Sequence, residues 1–152
     1  MKPFLNPFTT LGRLAPRLSP LAQLALRFAL AVPFFRSGLT KWDGFGKLSD
    51  SAAYLFRDEF RLHLLGATVP YPAPVVMAHA AGIAEIALPV LLVLGLGTRL
   101  AALGILLMTL VIQLTIPDGW ANFHLPWAAM ALALIAFGAG PLSLDRLVTA
   151  RN

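Results

Sequence analysis

The stretch "AGIAEIALPVLLVLGLGTRLAALGILLMTLVI", residues 81–112, contains two long apolar runs separated by a glycine-rich break. A bilayer core about 30 Å thick is crossed by about 20 mostly apolar helical residues. In "GLGTR", residues 95–99, two glycines interrupt the helical pattern and Arg99 lies at the turn. The stretch therefore predicts a tight hairpin of two membrane-spanning helices.

The composition and the apolar runs of the rest of the chain also predict a membrane protein. Of its 152 residues, 58% are hydrophobic and 12% charged, and the charged fraction is about half that of a soluble domain. Apolar length predicts four spanning helices at 20–41, 73–97, 99–117 and 122–139. Helical spacing of Ala53, Phe56, Phe60 and Leu64 predicts a short amphipathic helix at 51–64, in the first outer loop. The predicted fold is all-α: one membrane domain over residues 1–152, built as a four-helix bundle with a surface helix.

Charge predicts the orientation of this bundle, because Lys and Arg are enriched in cytoplasmic loops. Arg27 interrupts the first apolar run, which favours a retained helix over a cleaved signal peptide. With the N-terminus inside, a single acidic residue, Asp145, opposes the cytoplasmic basic residues, which are Lys2, Arg13, Arg17, Arg99, Arg146 and Arg151. The tryptophans then fall at the outer face, as an interfacial belt does. We expect both termini to be cytoplasmic.

Several functional classes are disfavoured by composition. The chain has no cysteine, which excludes a thiol relay, an iron–sulfur cluster and covalently attached haem. A net charge of +5 is compatible with nucleic acid, but no basic stripe faces an aromatic platform, so we expect no nucleic-acid partner. We expect lipid as the main partner, and the sequence leaves homo-oligomerisation open.

Two charged residues are predicted to lie deep in the membrane. Depth counted at about 1.5 Å per helical residue places Arg27 and Glu85 at matching depths of roughly 18–20 Å. A carboxylate at that depth is unfavourable unless it is paired or protonated. We therefore predict an intramembrane ion pair between Arg27 and Glu85, which serves equally well as a structural bridge between two helices or as part of a functional site.

Nearer the outer face, each predicted helix offers one polar side chain to a common layer. These are Arg36, His79, Gln113 and His124, with Lys41 just above them. Arg36 and Lys41 can instead extend to the interface and cover lipid with their stems, and the histidines and Gln113 can be ordinary interhelical hydrogen-bonding groups. The shared depth favours one ligand site formed by Arg36, His79, Gln113 and His124 with Lys41 at its rim, and no metal.

The sequence disfavours both haem and copper as cofactors. His79 and His124 provide two potential haem ligands, without the second histidine of a repeated pattern. Met77, Met108 and Met130 with these histidines suit Cu(I), although methionine in an apolar helix normally fills space.

Several motifs resemble the DoxX family of small bacterial membrane proteins. They are "RFALAVPFFRSGLTKWDGF", 27–45, the 81–112 stretch, and "GAGPLSLD", 138–145. The resemblance covers about residues 20–146 and implies a multi-pass inner-membrane protein in which Arg36, Lys41 and Glu85 are functional. Some relatives resemble the membrane subunit of thiosulfate:quinone oxidoreductase, and others associate with oxidative-stress, thiol-redox or copper-handling partners.

Three functions remain open on this basis. The first is a membrane subunit of a redox or stress-response system, linked to a quinone-dependent oxidoreductase, that binds a quinone or a small anion near the outer leaflet. The second is a non-catalytic anchor for a redox or metal-stress protein. A transporter ranks third, since a pore would favour polar positions along the full depth, and the inner half is nearly all aliphatic.

The predicted topology can be tested directly, because the chain has no cysteine of its own. A single cysteine introduced at position 55 or 119 should react with a membrane-impermeant thiol reagent added outside intact cells. Labelling of either position only after the cytoplasm is opened would contradict the orientation.

Overall fold

Long apolar helices dominate the computed structural model, which describes residues 7–149. Its helices are α1, Pro7–Leu39; α2, Asp50–Tyr54; α3, Pro74–Leu94; α4, Thr98–Thr115; α5, Leu125–Phe137; and α6, Leu144–Thr149. Four segments are long and apolar enough to cross a membrane: Ala15–Leu39, Pro74–Leu94, Thr98–Thr115 and Pro117–Phe137. The prediction of an all-α membrane bundle of four helices with a short surface helix is confirmed, with one small sheet in addition.

The turn between α3 and α4 is the predicted tight hairpin. Gly95 and Gly97 have φ angles of 68° and 57°, in the left-handed region that favours glycine. Gly95 closes α3 through hydrogen bonds to the Leu91 and Leu92 carbonyls, so the chain reverses within a few residues. We call this end of the bundle, with residues 95–98 and 138–145, the hairpin end. The opposite end, with residues 40–73 and 116–124, is the loop end.

Small residues bring α1 and α3 close together and fix their register. A Cβ at Gly38 would lie 3.0 Å from Glu85 Cβ, and a Cβ at Gly82 would lie 2.7 Å from Trp42 Cζ2. Gly38 is therefore level with Glu85, and α3, which begins at Pro74, continues about three turns beyond the last residue of α1.

The core between the four spanning helices is apolar. Its buried members include Leu30 and Phe34 from α1, Leu92 from α3, Ile105 from α4 and Leu134 from α5. In a membrane, such packing stabilises the bundle through close van der Waals contact, because lipid removes the hydrophobic driving force between helices.

The predicted surface helix at 51–64 is wrong beyond Glu59. Ser49 caps α2, accepting a hydrogen bond from Ala52 N–H at 3.2 Å, and a π-helical turn, Leu55–Glu59, follows. The chain then forms strand β1, Arg61–Leu64, antiparallel to strand β2, Ala67–Pro70. Leu65 and Gly66 both have positive φ, as a two-residue hairpin turn requires. Leu-Gly is a weaker turn signal than Asn-Gly, so the sequence contains little indication of this β-hairpin.

The ends of other helices also differ from the predicted bounds. The first helix begins earlier than residue 20 and ends at Leu39 rather than at 41. The fourth span opens with a 3₁₀ turn, Pro117–Gly119, and a π-helical turn, Trp120–His124, before α5. Asn122 lies inside the π-helical turn, and α5 has no side-chain cap. The regular helix therefore starts three residues after the predicted position.

The hairpin end is held by two charged side chains that contact backbone. Asp145 accepts hydrogen bonds from Gly97 N–H at 2.7 Å and Thr98 N–H at 3.0 Å, at the start of α4. Arg27, fully buried, donates to the carbonyl groups of Val93 and Leu142. Together these contacts tie the segment after α5 to the turn between α3 and α4.

The acidity of Asp145 follows from this environment. Partial burial alone would raise the pKa of its carboxyl group, but the donors at Thr98 and Gly97, together with the positive charge of Arg27, lower that pKa below its ordinary value. The folded state therefore gains stability from ionised Asp145 at neutral pH, and this stability is lost as the pH falls through the lowered pKa.

Replacing Asp145 tests this contribution. Asp145→Asn should reduce the stability of the purified protein at neutral pH by about 1–2 kcal/mol, through the weakened helix cap. It should also remove part of the acid sensitivity below about pH 4, which thermal unfolding in detergent at several pH values would measure. The exposed Asp58→Asn is the matched control. Equal stability of the Asp145→Asn variant and the unaltered protein at neutral pH would contradict the capping role.

Candidate functional site

A cavity of about 800 Å³ lies between the spanning helices toward the loop end. All four contribute to its wall, and the segment between α1 and α3 covers it. The wall is mainly apolar, with aromatic rings from Phe34, Phe56, Phe60, Tyr71, Phe123 and Trp127. Its size and apolar character are those of a small-molecule pocket. We call it the loop-end cavity.

An ion pair forms one side of this cavity. Lys41 Nζ lies 2.5 Å from Glu85 Oε2, and both side chains are largely buried, at 12% and 7% exposure. Lys41 Nζ also donates to Ser37 Oγ at 3.2 Å. Lys41 reaches this position because the chain turns just after α1, where Lys41 N–H bonds to the Gly38 carbonyl at 3.1 Å. The pair thus balances a carboxylate that would be costly if left alone at this depth.

The predicted pairing of Glu85 with Arg27 is wrong. Glu85 pairs with Lys41, and Arg27 instead contacts backbone carbonyls at the hairpin end. The depth count assumed that the end of the first spanning helix and the start of the second lie level with each other at the outer face. Packing places Gly38 beside Glu85, which leaves Arg27 eleven residues, or roughly 16 Å, further along the bundle.

A second polar group on the cavity wall is His124. Gln113 Nε2 donates to the Pro117 carbonyl at 3.1 Å, so its Oε1 accepts from His124 Nδ1 at 2.6 Å. The ring lies against Gly119, where a Cβ would come within 2.5 Å of His124 Cε1. Among residues 7–149, nothing hydrogen-bonds to His124 Nε2. Gln113 and His124, which were predicted to share one layer, are therefore in contact, and the second nitrogen of the His124 ring has no hydrogen-bond partner among these residues.

The other two members of the predicted layer do not line the cavity. Arg36 is exposed on the same side of α1 as Phe28, Val32 and Leu39, a position from which its head can reach the interface. His79 bonds to the Val75 carbonyl at 2.8 Å within its own helix and packs edge-on against Trp42. The cavity thus gathers Lys41, Glu85 and His124 from the predicted set, with Gln113 behind His124.

Tyr71 is a cavity residue that the sequence did not single out. Its hydroxyl group bonds to Thr115 Oγ1 at 2.5 Å. This contact joins the short segment between β2 and α3 to the end of α4. Burial raises the pKa of Tyr71, and the hydrogen bond to Thr115 partly opposes that rise. Two prolines flank Tyr71 in the sequence, which marked a loop but gave no sign of the contact with α4.

Across the described part of the chain, no three His, Asp or Glu side chains come together as a metal site.

Comparison with known proteins identifies the family. The family model described as DoxX matches residues 22–118. A protein of Haemophilus influenzae, described as uncharacterized, is 33% identical over 141 residues, covering 86% of this chain and 85% of its own length. This chain belongs to the DoxX family. No solved structure matches it.

The motifs of this DoxX protein meet in pairs. The "GLTKW" end of α1, residues 38–42, contacts the part of α3 that contains Gly82 and Glu85. The "GLGTR" turn, residues 95–99, contacts Ser143 and Asp145 of the closing "SLD". The first pair borders the loop-end cavity and the second holds the hairpin end, so the sequence features behind the resemblance form two contact sites.

A double-mutant cycle tests the ion pair. Glu85→Gln alone should destabilise the protein by about 3 kcal/mol or more, because it leaves the Lys41 charge buried without its partner. Adding Lys41→Met should recover part of that loss, as seen in thermal unfolding of the purified variants in mild detergent. Arg27→Gln is the matched control, and its effect should simply add to that of Glu85→Gln. Additive effects of the Lys41 and Glu85 changes would contradict the contact.

Proposed function

We propose that this DoxX protein is a membrane subunit of a redox or stress-response system and binds a quinone-type ligand in the loop-end cavity. The carrying observation is an apolar, aromatic-walled cavity of about 800 Å³ with few polar groups, among them an ion pair and the unbonded Nε2 of His124. Such a site suits a flat ring that carries hydrogen-bonding oxygens.

The polar side chains can distinguish the two ends of such a ring. Lys41 Nζ has three N–H groups, of which Glu85 and Ser37 accept two. The third can donate to a carbonyl oxygen. His124 donates through Nδ1 to Gln113, so Nε2 can accept a hydrogen bond from a hydroxyl group or, when protonated, donate one to a carbonyl.

A small anion fits the cavity less well. Glu85 neutralises Lys41 at 2.5 Å, Arg36 is outside the wall, and the surrounding surface is largely aromatic and aliphatic. An anion would lose its hydration without gaining an unpaired positive charge. Of the two ligand classes suggested by the sequence, the quinone is therefore favoured.

The proposed location is the bacterial inner membrane, with both termini cytoplasmic. Arg17, Arg99 and Arg146 belong to the side of the hairpin end, whereas the loop end balances its basic residues with Asp43, Asp50, Asp58 and Glu59. The excess of basic residues supports a cytoplasmic hairpin end. The loop-end cavity would then lie in the outer leaflet.

Quinone binding can be measured on the purified protein. A quinone that carries one isoprene unit should quench tryptophan fluorescence saturably in detergent, since Trp127 lines the cavity. His124→Phe keeps a ring of similar size but removes the hydrogen bond, and should weaken binding by about tenfold.

The control variant is Arg36→Gln, which changes a charge outside the cavity and should leave the affinity unaltered. Sulfate or thiosulfate should not displace the quinone. Unsaturable quenching, or equal affinity of the His124→Phe and unaltered proteins, would count against the proposed function.

A further inference from the structure

One side of the loop-end cavity reaches the lipid-facing surface between α3 and α4. On α3, Ala80 lines the cavity and is also exposed, on the same side as Val76, Ile83 and Ala87. On α4, Val111 lines the cavity and is exposed beside Leu107 and Leu110. Ala80 and Ala87 are seven positions apart and therefore lie on one face of α3. Ala80 marks the edge of the lipid-facing side of α3, and Val111 marks the edge of the lipid-facing side of α4.

This opening is closed at each end by a contact with α4. Toward the hairpin end, Leu88 fills the space over Gly104, where a Cβ would lie 2.9 Å from Leu88 Cδ1. Toward the loop end, the Tyr71–Thr115 hydrogen bond joins the chain before α3 to the last residue of α4. From Gly104 to Thr115 the opening extends roughly 16 Å along α4.

The edges of the opening are small or flexible apolar side chains. Ala80 and Ala84 face it from α3, and Met108 and Val111 face it from α4. Alanine leaves room between the helices, and methionine adapts its shape to a neighbouring group. No charged side chain stands among these four, so a hydrocarbon chain can lie there without displacing water from a polar group.

We propose that this opening is a lateral window through which a long hydrocarbon tail passes from the cavity into the bilayer. The inference rests on the proposed function and makes it more specific: the ligand is a membrane-dissolved polyprenyl quinone, with its ring inside and its tail in lipid. A cavity of about 800 Å³ accommodates the ring and a short substituent. A long polyprenyl tail has no room beside them and must leave through an apolar gap.

Quinones with tails of different length can distinguish passage of the tail through the window from binding of the ring in the cavity. Ala80→Trp should fill the gap and weaken equilibrium binding of a long polyprenyl quinone by about tenfold or more. It should leave the affinity for a quinone with one isoprene unit within about twofold, because that ligand is enclosed entirely. Binding would be measured by tryptophan quenching in lipid nanodiscs, with each variant referred to its own unliganded signal.

The matched control is Ala87→Trp, two turns along the same lipid-facing side of α3 and outside the cavity wall. It should alter neither affinity. Val111→Trp, on the opposite edge, should reproduce the selective loss even if Ala80→Trp fails to fold. Unchanged binding of the long-tailed quinone, or an equal loss for both tail lengths, would overturn the window while leaving the ring site intact. Failure of the unaltered protein to bind either quinone would instead reject the proposed function, and the window with it.

Discussion

The contact between Lys41 and Glu85 is the constraint on which the loop end depends. A carboxylate inside an apolar bundle requires a partner, and here the partner comes from the residues just after α1 rather than from its interior. Lys41 can reach Glu85 because Gly38 and Gly82 carry no side chain where α1, Trp42 and α3 pack together. Small residues and a buried charge pair thus set one register between two helices.

That register creates the cavity. Since Gly38 lies level with Glu85, α1 stops about three turns short of the start of α3. The space beyond the end of α1 is not filled by another helix of the bundle. It is covered instead by the segment that carries Phe56, Phe60 and Tyr71, whose rings pack together over the bundle. Beneath this segment lies the loop-end cavity, whose wall includes an ion pair and a histidine and which opens toward lipid.

The two ends of the bundle use their charges differently. At the hairpin end, Arg27 and Asp145 are directed to backbone groups that would otherwise lack partners at the turn and at the start of α4. At the loop end, Lys41 and Glu85 neutralise each other on a cavity wall. The first arrangement holds the chain ends together, and the second leaves hydrogen-bonding capacity next to empty space. This contrast is why the ligand site is proposed at the loop end.

The sequence alone determined the features that depend on local pattern, which are the four apolar spans and the glycine turn at 95–97. These follow from helix length and from backbone preferences of single residues. The strand pair after Glu59 was missed for a local reason, the weak turn signal of Leu65 and Gly66. Only the tertiary structure decided the partner of Glu85 and the cavity, because both depend on how far one helix slides along another. A shift of one residue moves a side chain by about 1.5 Å and turns it by about 100°. Interlocking of Gly38 and Gly82 with their neighbours sets that shift, and apolar helices of similar length do not reveal it in their sequences.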